Sequence, residues 1–185
     1  LGIERSILWA SVRAVVQLLA VGVVLAFVLE PSRPLALAFA WVLAMVVIAA
    51  VTVHRRIPEV PGAGPLAFAS IGVATVVGLA VMVGLGVFPL EGRTVIPLSG
   101  MIVGNTMASV VVLGRRLVAE VSEKRPEIEA RLALGQPWQE AGRPSVRSAL
   151  KTALLPGIER TKVVGLVALP GAMTGLILAG VPADQ

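Results

Sequence analysis

Pro97-Leu98-Ser99-Gly100-Met101-Ile102-Val103-Gly104-Asn105-Thr106-Met107 sets a Gly-x-x-x-Gly face, an amide and two hydroxyls into a run otherwise apolar enough to cross a bilayer. Hydrocarbon offers such groups no hydrogen bonds, so they are expected to face protein or a water-filled path. The run continues without a break into a charged stretch, 114–162. An intramembrane polar site beside a sizeable polar appendage points to a membrane machine worked by something that docks against it.

Composition agrees. Of 185 residues, 56% are hydrophobic and 15% charged, with a mean hydropathy of +0.89. Soluble domains carry about 25% charged residues. The apolar content is gathered into runs near the ~20 residues that span a bilayer. The predicted fold is all-α: a polytopic transmembrane helix bundle with a cytoplasmic coupling region of short helices, read as one permease-like domain over residues 1–185. Five spans can be drawn, at about 7–29, 35–53, 66–88, 95–113 and 163–181, with Pro170-Gly171 inside the last.

Lys and Arg set the orientation. With the start inside, the inner segments hold Arg5, then Arg55 and Arg56, then ten basic residues in 114–162, whereas the outer loops hold only Arg33 and Arg93. This is the positive-inside pattern, and it accounts for the net charge of +5 and the pI near 11.0 without nucleic acid. Three Trp and no Tyr leave few stacking platforms for bases. No cysteine is present, which excludes disulfides and thiolate chemistry in this chain. The start at Leu1 and the stop at Gln185 just after an apolar run are read as the ends of a fragment lacking spans at one or both sides.

Within 114–162, Leu117, Val118 and Val121 continue one face of the fourth span. Pro126 sits near a helix start, followed by Glu127 and Glu129 in the first turn, where acids are favoured. Ile128 and Leu132 share a face, and Gly135 suits a C′ position. Pro137, Pro144 and Pro156 each read as the start of another short helix. Arg143, Arg147 and Lys151 recur every fourth residue. Such a run of helices is read as a docking surface; the alternative is an interfacial helix lying on lipid.

Arg13 and Gln17 share a face of the first span. Arg13 either snorkels to the headgroups or faces a path; Gln17 either bonds a neighbouring helix or lines that path. In the fourth span Gly100 and Gly104 admit a close helix neighbour, and Ser99, Asn105, Thr106 and Ser109 cluster within three turns. The fifth repeats the arrangement as Pro170, Gly171, Met173, Thr174 and Gly175. Proline inside a membrane helix frees carbonyls, so the two Pro/Gly-broken helices are the candidates for lining a path. Met101 and Met173 could offer soft thioethers, although methionines in such helices are more often packing. The spans carry no Asp, Glu or His, which weakens an ion-driven carrier, and no metal site is assigned. Lone His54 beside Arg55 and Arg56 reads as a surface residue. No P-loop is present, so no catalytic site is assigned to this chain.

Several segments resemble a known family in order and spacing. Ile7-Leu8-Trp9 with Arg13-Ala14-Val15-Val16-Gln17-Leu18, the Pro97–Met107 stretch, and Ala149-Leu150, Leu155-Pro156, Lys162-Val163-Val164-Gly165-Leu166-Val167 and Leu169-Pro170-Gly171-Ala172-Met173-Thr174-Gly175-Leu176-Ile177 resemble the FetB/YbbM-like permeases (UPF0014). These are described as membrane subunits of iron-export ABC transporters. The resemblance implies about seven spans in the full protein, with its N-terminus outside. It also implies a cytoplasmic ABC ATPase partner holding ATP and Mg, two copies of each subunit, and a multi-pass location in the cell inner membrane. Glu129-Ala130-Arg131-Leu132-Ala133-Leu134-Gly135 is similar to the segment by which many ABC permeases dock their ATPase, with Arg131 in place of an alanine. Glu129, Ala130, Leu132 and Gly135 are the coupling residues so implied. Iron or another metal-related cargo is the expected substrate. Similar plant subunits are linked to aluminium tolerance and a nucleotide sugar, and a non-transporting scaffold or sensor is the competing class.

Overall fold

The computed structural model describes residues 3–28 and 34–163, and every regular element among them is helical. They are α1 (Ile3–Val28), α2 (Leu35–Arg56), α3 (Ala63–Gly84), α4 (Gly92–Glu123), α5 (Arg125–Ala133), α6 (Trp138–Ala141) and α7 (Arg143–Val163). The expected fifth span, with Pro170, Gly171, Met173, Thr174 and Gly175, lies outside the described residues. Among those described, α2, α3 and α4 are long and apolar enough to cross a membrane, and α1 contains the apolar helix Ser11–Leu25. The all-α membrane bundle read from composition is therefore the fold.

Two compact units divide the chain: Leu1–Arg55 with Gly62–Met107, and Arg56–Pro61 with Ala108–Gln185. In the first, small and branched residues at helical spacing carry the packing. α3 buries Ala63, Ala67, Ile71, Thr75 and Leu79, one every fourth residue, while α2 buries Ala38, Val42, Val46, Ala49, Ala50 and Val53. Val42, Leu79 and Val95 form a core cluster with Leu98 against it, so α2, α3 and α4 meet there. Lipid is as apolar as these side chains, so close van der Waals fit rather than escape from water holds such helices together. Thr75 is buried with its hydroxyl donating to the Ile71 carbonyl at 2.7 Å, which satisfies it without a neighbour.

Helix boundaries differ from the expected ones for local reasons. α3 stops at Gly84, short of Phe88, because a Schellman closure forms: Gly86 N–H donates to Val83 O at 3.0 Å and Val87 N–H to Met82 O at 3.1 Å. α4 runs unbroken through Pro97, contrary to the expected break. Pro97 lies in the second turn, where its missing N–H removes a bond only from the Arg93 carbonyl near the helix start.

The second unit corrects the series of short helices. α5 and α6 are short, at 9 and 4 residues, but α7 has 21 and passes through Pro156 instead of starting there. Pro156 deprives the Thr152 carbonyl of its usual donor. Beyond it, Lys162 pairs with Glu159 at 2.7 Å, a local support for the last turn, while Thr161 Oγ1 donates back to Gly157 O at 3.0 Å, a bond that satisfies the hydroxyl but tends to bend a helix. Pro137 caps α6 and Pro144 is the second residue of α7, as read. The stripe Ser145, Ala149 and Ala153 is the buried face of α7.

Candidate functional site

The coupling segment is built by the end of α4. Pro126 disfavours continuing that helix, since its ring would crowd the Ser122 carbonyl and leave it without a donor, and the chain turns at Lys124 (φ −97°, ψ 15°). α5 then starts with Pro126 as its second residue and Glu127 in its first turn. It closes in a Schellman motif: Gly135 N–H donates to Leu132 O at 2.9 Å and Gln136 N–H to Arg131 O at 3.1 Å. Gly135 has φ +85°, a conformation that strains any residue with a Cβ.

A nine-residue helix is marginal in water. α5 has no buried residue; its C-terminal closure, its contacts with α6 and two ion pairs, Arg125–Glu129 and Arg131–Glu127, both 2.7 Å, hold it. Such exposed pairs are weak, because solvent screens them. Of the predicted coupling residues, Glu129, Ala130 and Gly135 are exposed and Leu132 is 43% exposed, so all four sit on one helix and its cap, open to a partner.

Glu120 was missed by the sequence reading. It is 3% exposed and accepts from Arg116 Nη2 and Ser148 Oγ, each 2.7 Å from Oε1, while Lys124 Nζ lies 3.1 Å from Oε2. The Ser148 bond ties the end of α4 to α7. The hydroxyl, foremost, and then Lys124 and Arg116 hold the Glu120 carboxyl below its ordinary pKa, against the opposing effect of burial. The spacing Arg116-x₃-Glu120-x₃-Lys124 was a visible signal; Ser148, 28 residues away, was not.

The intramembrane candidates are distributed over more than one face. Ser99 is fully buried in the first unit, and its hydroxyl has no hydrogen-bond partner among the described residues. Thr106 is half-buried. Met101 is 47% exposed, and Asn105 and Ser109 are exposed, each with an interaction partner. Gly100 meets Met45 of α2, whose Cε would lie 3.1 Å from an added Cβ, whereas around Gly104 nothing lies within 4 Å. The two glycines thus do not form one contact within this unit. Arg13 and Gln17 are exposed on α1 and make no hydrogen bond among the described residues. No group of three or more His, Asp or Glu that could hold a metal ion occurs among the described residues.

Ser99→Ala is expected to leave thermal stability unchanged or raise it by about 1 kcal/mol, since an unpaired buried hydroxyl is removed. Thermal melts of the detergent-solubilised full-length protein decide it. A clear loss of stability would show that the hydroxyl is bonded and refute the reading.

Comparison with known proteins agrees with this architecture. The model of the uncharacterised protein family UPF0014 matches residues 1–185. The UPF0014 membrane protein STAR2 of Oryza sativa subsp. japonica is 41% identical over 97% of this chain, which spans 63% of that relative's length. The UPF0014 membrane protein YjkA of Bacillus subtilis (strain 168) is 36% identical over 97% of the chain and 71% of its own length. The probable iron export permease protein FetB of Escherichia coli (strain K12) is 34% identical over 98% of the chain and 70% of its own length. No solved structure matches. Matched from end to end and built of apolar spanning helices, the chain belongs to the UPF0014 family of membrane proteins.

Proposed function

We propose that this chain is the membrane-spanning permease of an ABC transporter that exports iron or another metal-related substrate, with ATP and Mg bound by a separate cytoplasmic ATPase. The observation that carries the reading is α5: a short, capped, ion-paired helix without a buried residue, on a chain whose family includes a relative named as a probable iron export permease. Such a helix gains packing by docking to a partner. Two permeases with two ATPases is the assembly expected from ABC architecture. The chain itself performs no catalysis in this scheme; it provides the path and receives the push.

The test is flux. Full-length permease and ATPase in proteoliposomes should move iron only with ATP present. Movement of a nucleotide sugar instead would keep the transporter and replace the cargo. A stable complex that moves neither would overturn transport and leave a scaffold or sensor.

Gly135→Val and Glu129→Arg probe the docking directly. The first forces a branched residue to φ +85°, at about 1–2 kcal/mol of local strain. The second sets like charges at Arg125 and position 129. Each is expected to weaken ATPase co-purification by roughly tenfold, in keeping with the loss of charge and shape complementarity at an interface, with helix content by circular dichroism unchanged. Undiminished association would refute the α5 assignment.

A further inference from the structure

A cleft of about 990 Å³ opens beside the start of α7, lined by Arg131, Gln136, Glu140, Arg143, Arg147 and an apolar set that includes Leu150. Its charges do not balance: three arginines face one glutamate. Arg131 is already paired with Glu127, but Arg143 and Arg147 make no hydrogen bond or ion pair among the described residues. They sit one turn apart at the beginning of a helix, the end where the macrodipole disfavours cations. Like charges at this spacing also repel. Folding alone is not helped by this arrangement, whereas an incoming anion is met by two guanidinium forks and the positive end of a 21-residue helix at once.

The occupant must also suit apolar surface. Pro144, Val146 and Leu150 line the cleft. The chain leading into it leaves Leu134 84% exposed and Trp138 74% exposed, side chains of the kind that anchor interfaces. A bare phosphate would use the arginines and leave these unused. An amphipathic protein segment, acidic on one side and apolar on the other, uses both.

We infer that this cleft receives an acidic, apolar-flanked segment of the partner ATPase, with Arg143 and Arg147 taking its carboxylates and Leu134 and Trp138 packing at its edge. The inference rests on the proposed ATPase partnership and extends it beyond α5: the permease both presents a helix and accepts a segment.

The experiment uses full-length permease and its ATPase. Arg143→Glu with Arg147→Glu is expected to weaken the complex by at least about tenfold, as reversal of a complementary charge patch does. Arg143→Gln with Arg147→Gln, which leaves the helix start less charged, is expected to give a smaller loss that shrinks further at high salt. This chain has no cysteine, so Gln136→Cys offers a single labelled position within it. A photocrosslinker there should capture an acidic stretch of the ATPase, and reversing those acids to arginine should restore binding to the Glu pair. Crosslinks to lipid alone, or equal ATPase binding by wild type and both pairs, would overturn the cleft assignment while leaving the partnership standing. Failure of the wild-type permease to bind any ATPase would overturn both.

Discussion

Glu120→Lys is expected to free α7 from the end of α4 and to stop the proposed ATP-driven transport, while the apolar helices stay folded. In the native chain one buried carboxylate takes two donors at 2.7 Å on Oε1, from Arg116 and Ser148, and pairs with the Lys124 ammonium 3.1 Å from Oε2. An ammonium in its place would sit between two cations and could accept nothing from the Ser148 hydroxyl. Reversing one member of a buried charge cluster is far more costly than breaking a surface pair. The readout is limited proteolysis of the segment between α4 and α7, expected to quicken by roughly tenfold as local opening becomes easier, together with flux. Ser148→Ala is the milder control, because it removes one bond and keeps both ion pairs. A wild-type cleavage pattern and normal flux in Glu120→Lys would show that this cluster neither holds α7 to the end of α4 nor serves the proposed transport.

The same cluster fixes a pH dependence. The Glu120 carboxyl has a folded pKa below its ordinary value of 4.5, so the native state binds its proton less readily than the unfolded chain does. Its contribution to stability is therefore fully present above about pH 5 and lost as pH falls through the lowered folded value. Proteolysis of the α4–α7 segment should be flat from pH 8 to 5 and rise only in more acid solution. Glu120→Gln should lack that acid rise.

Much of the architecture could be read before any coordinates, because apolar runs of spanning length admit few alternatives in lipid. Helix ends were less legible. Pro97 reads as a break, yet near the start of α4 its missing donor frees a single carbonyl, and the helix absorbs it. Pro156 reads as a start, yet local bonds at Gly157 and Glu159 accompany a helix that passes through it. Gly135 was legible because positive φ at a helix end favours one residue type above the rest. The polar set of the fourth span was harder: sequence spacing groups Ser99, Asn105 and Ser109, and only the fold shows that Ser99 is buried while Asn105 and Ser109 are exposed. Glu120 was half visible, by its i±4 cations; its bond to Ser148 needed the fold.

Gly114→Leu is expected to dislodge the turn after α2 from the side of α4. A Cβ at position 114 would lie 2.5 Å from Ile57 Cδ1, 3.4 Å from its Cγ2 and 3.6 Å from its Cγ1. Ile57 is 3% exposed and is followed at once by Pro58, so the backbone around it has little freedom to retreat. Overpacking of this kind typically costs about 1–3 kcal/mol, with leucine expected at the upper end and alanine at the lower. Alanine has a specific escape, since the nearest clash is with the far methyl of Ile57. Ile57→Val deletes that methyl at an expected cost of about 0.5–1.5 kcal/mol. Gly114→Ala combined with Ile57→Val should then be no less stable than Ile57→Val alone, a non-additivity that marks direct contact. Melts of the four proteins in detergent measure it. Strictly additive losses would show that Ile57 does not occupy the space left by Gly114, and that the glycine serves the flexibility of α4 instead of its packing.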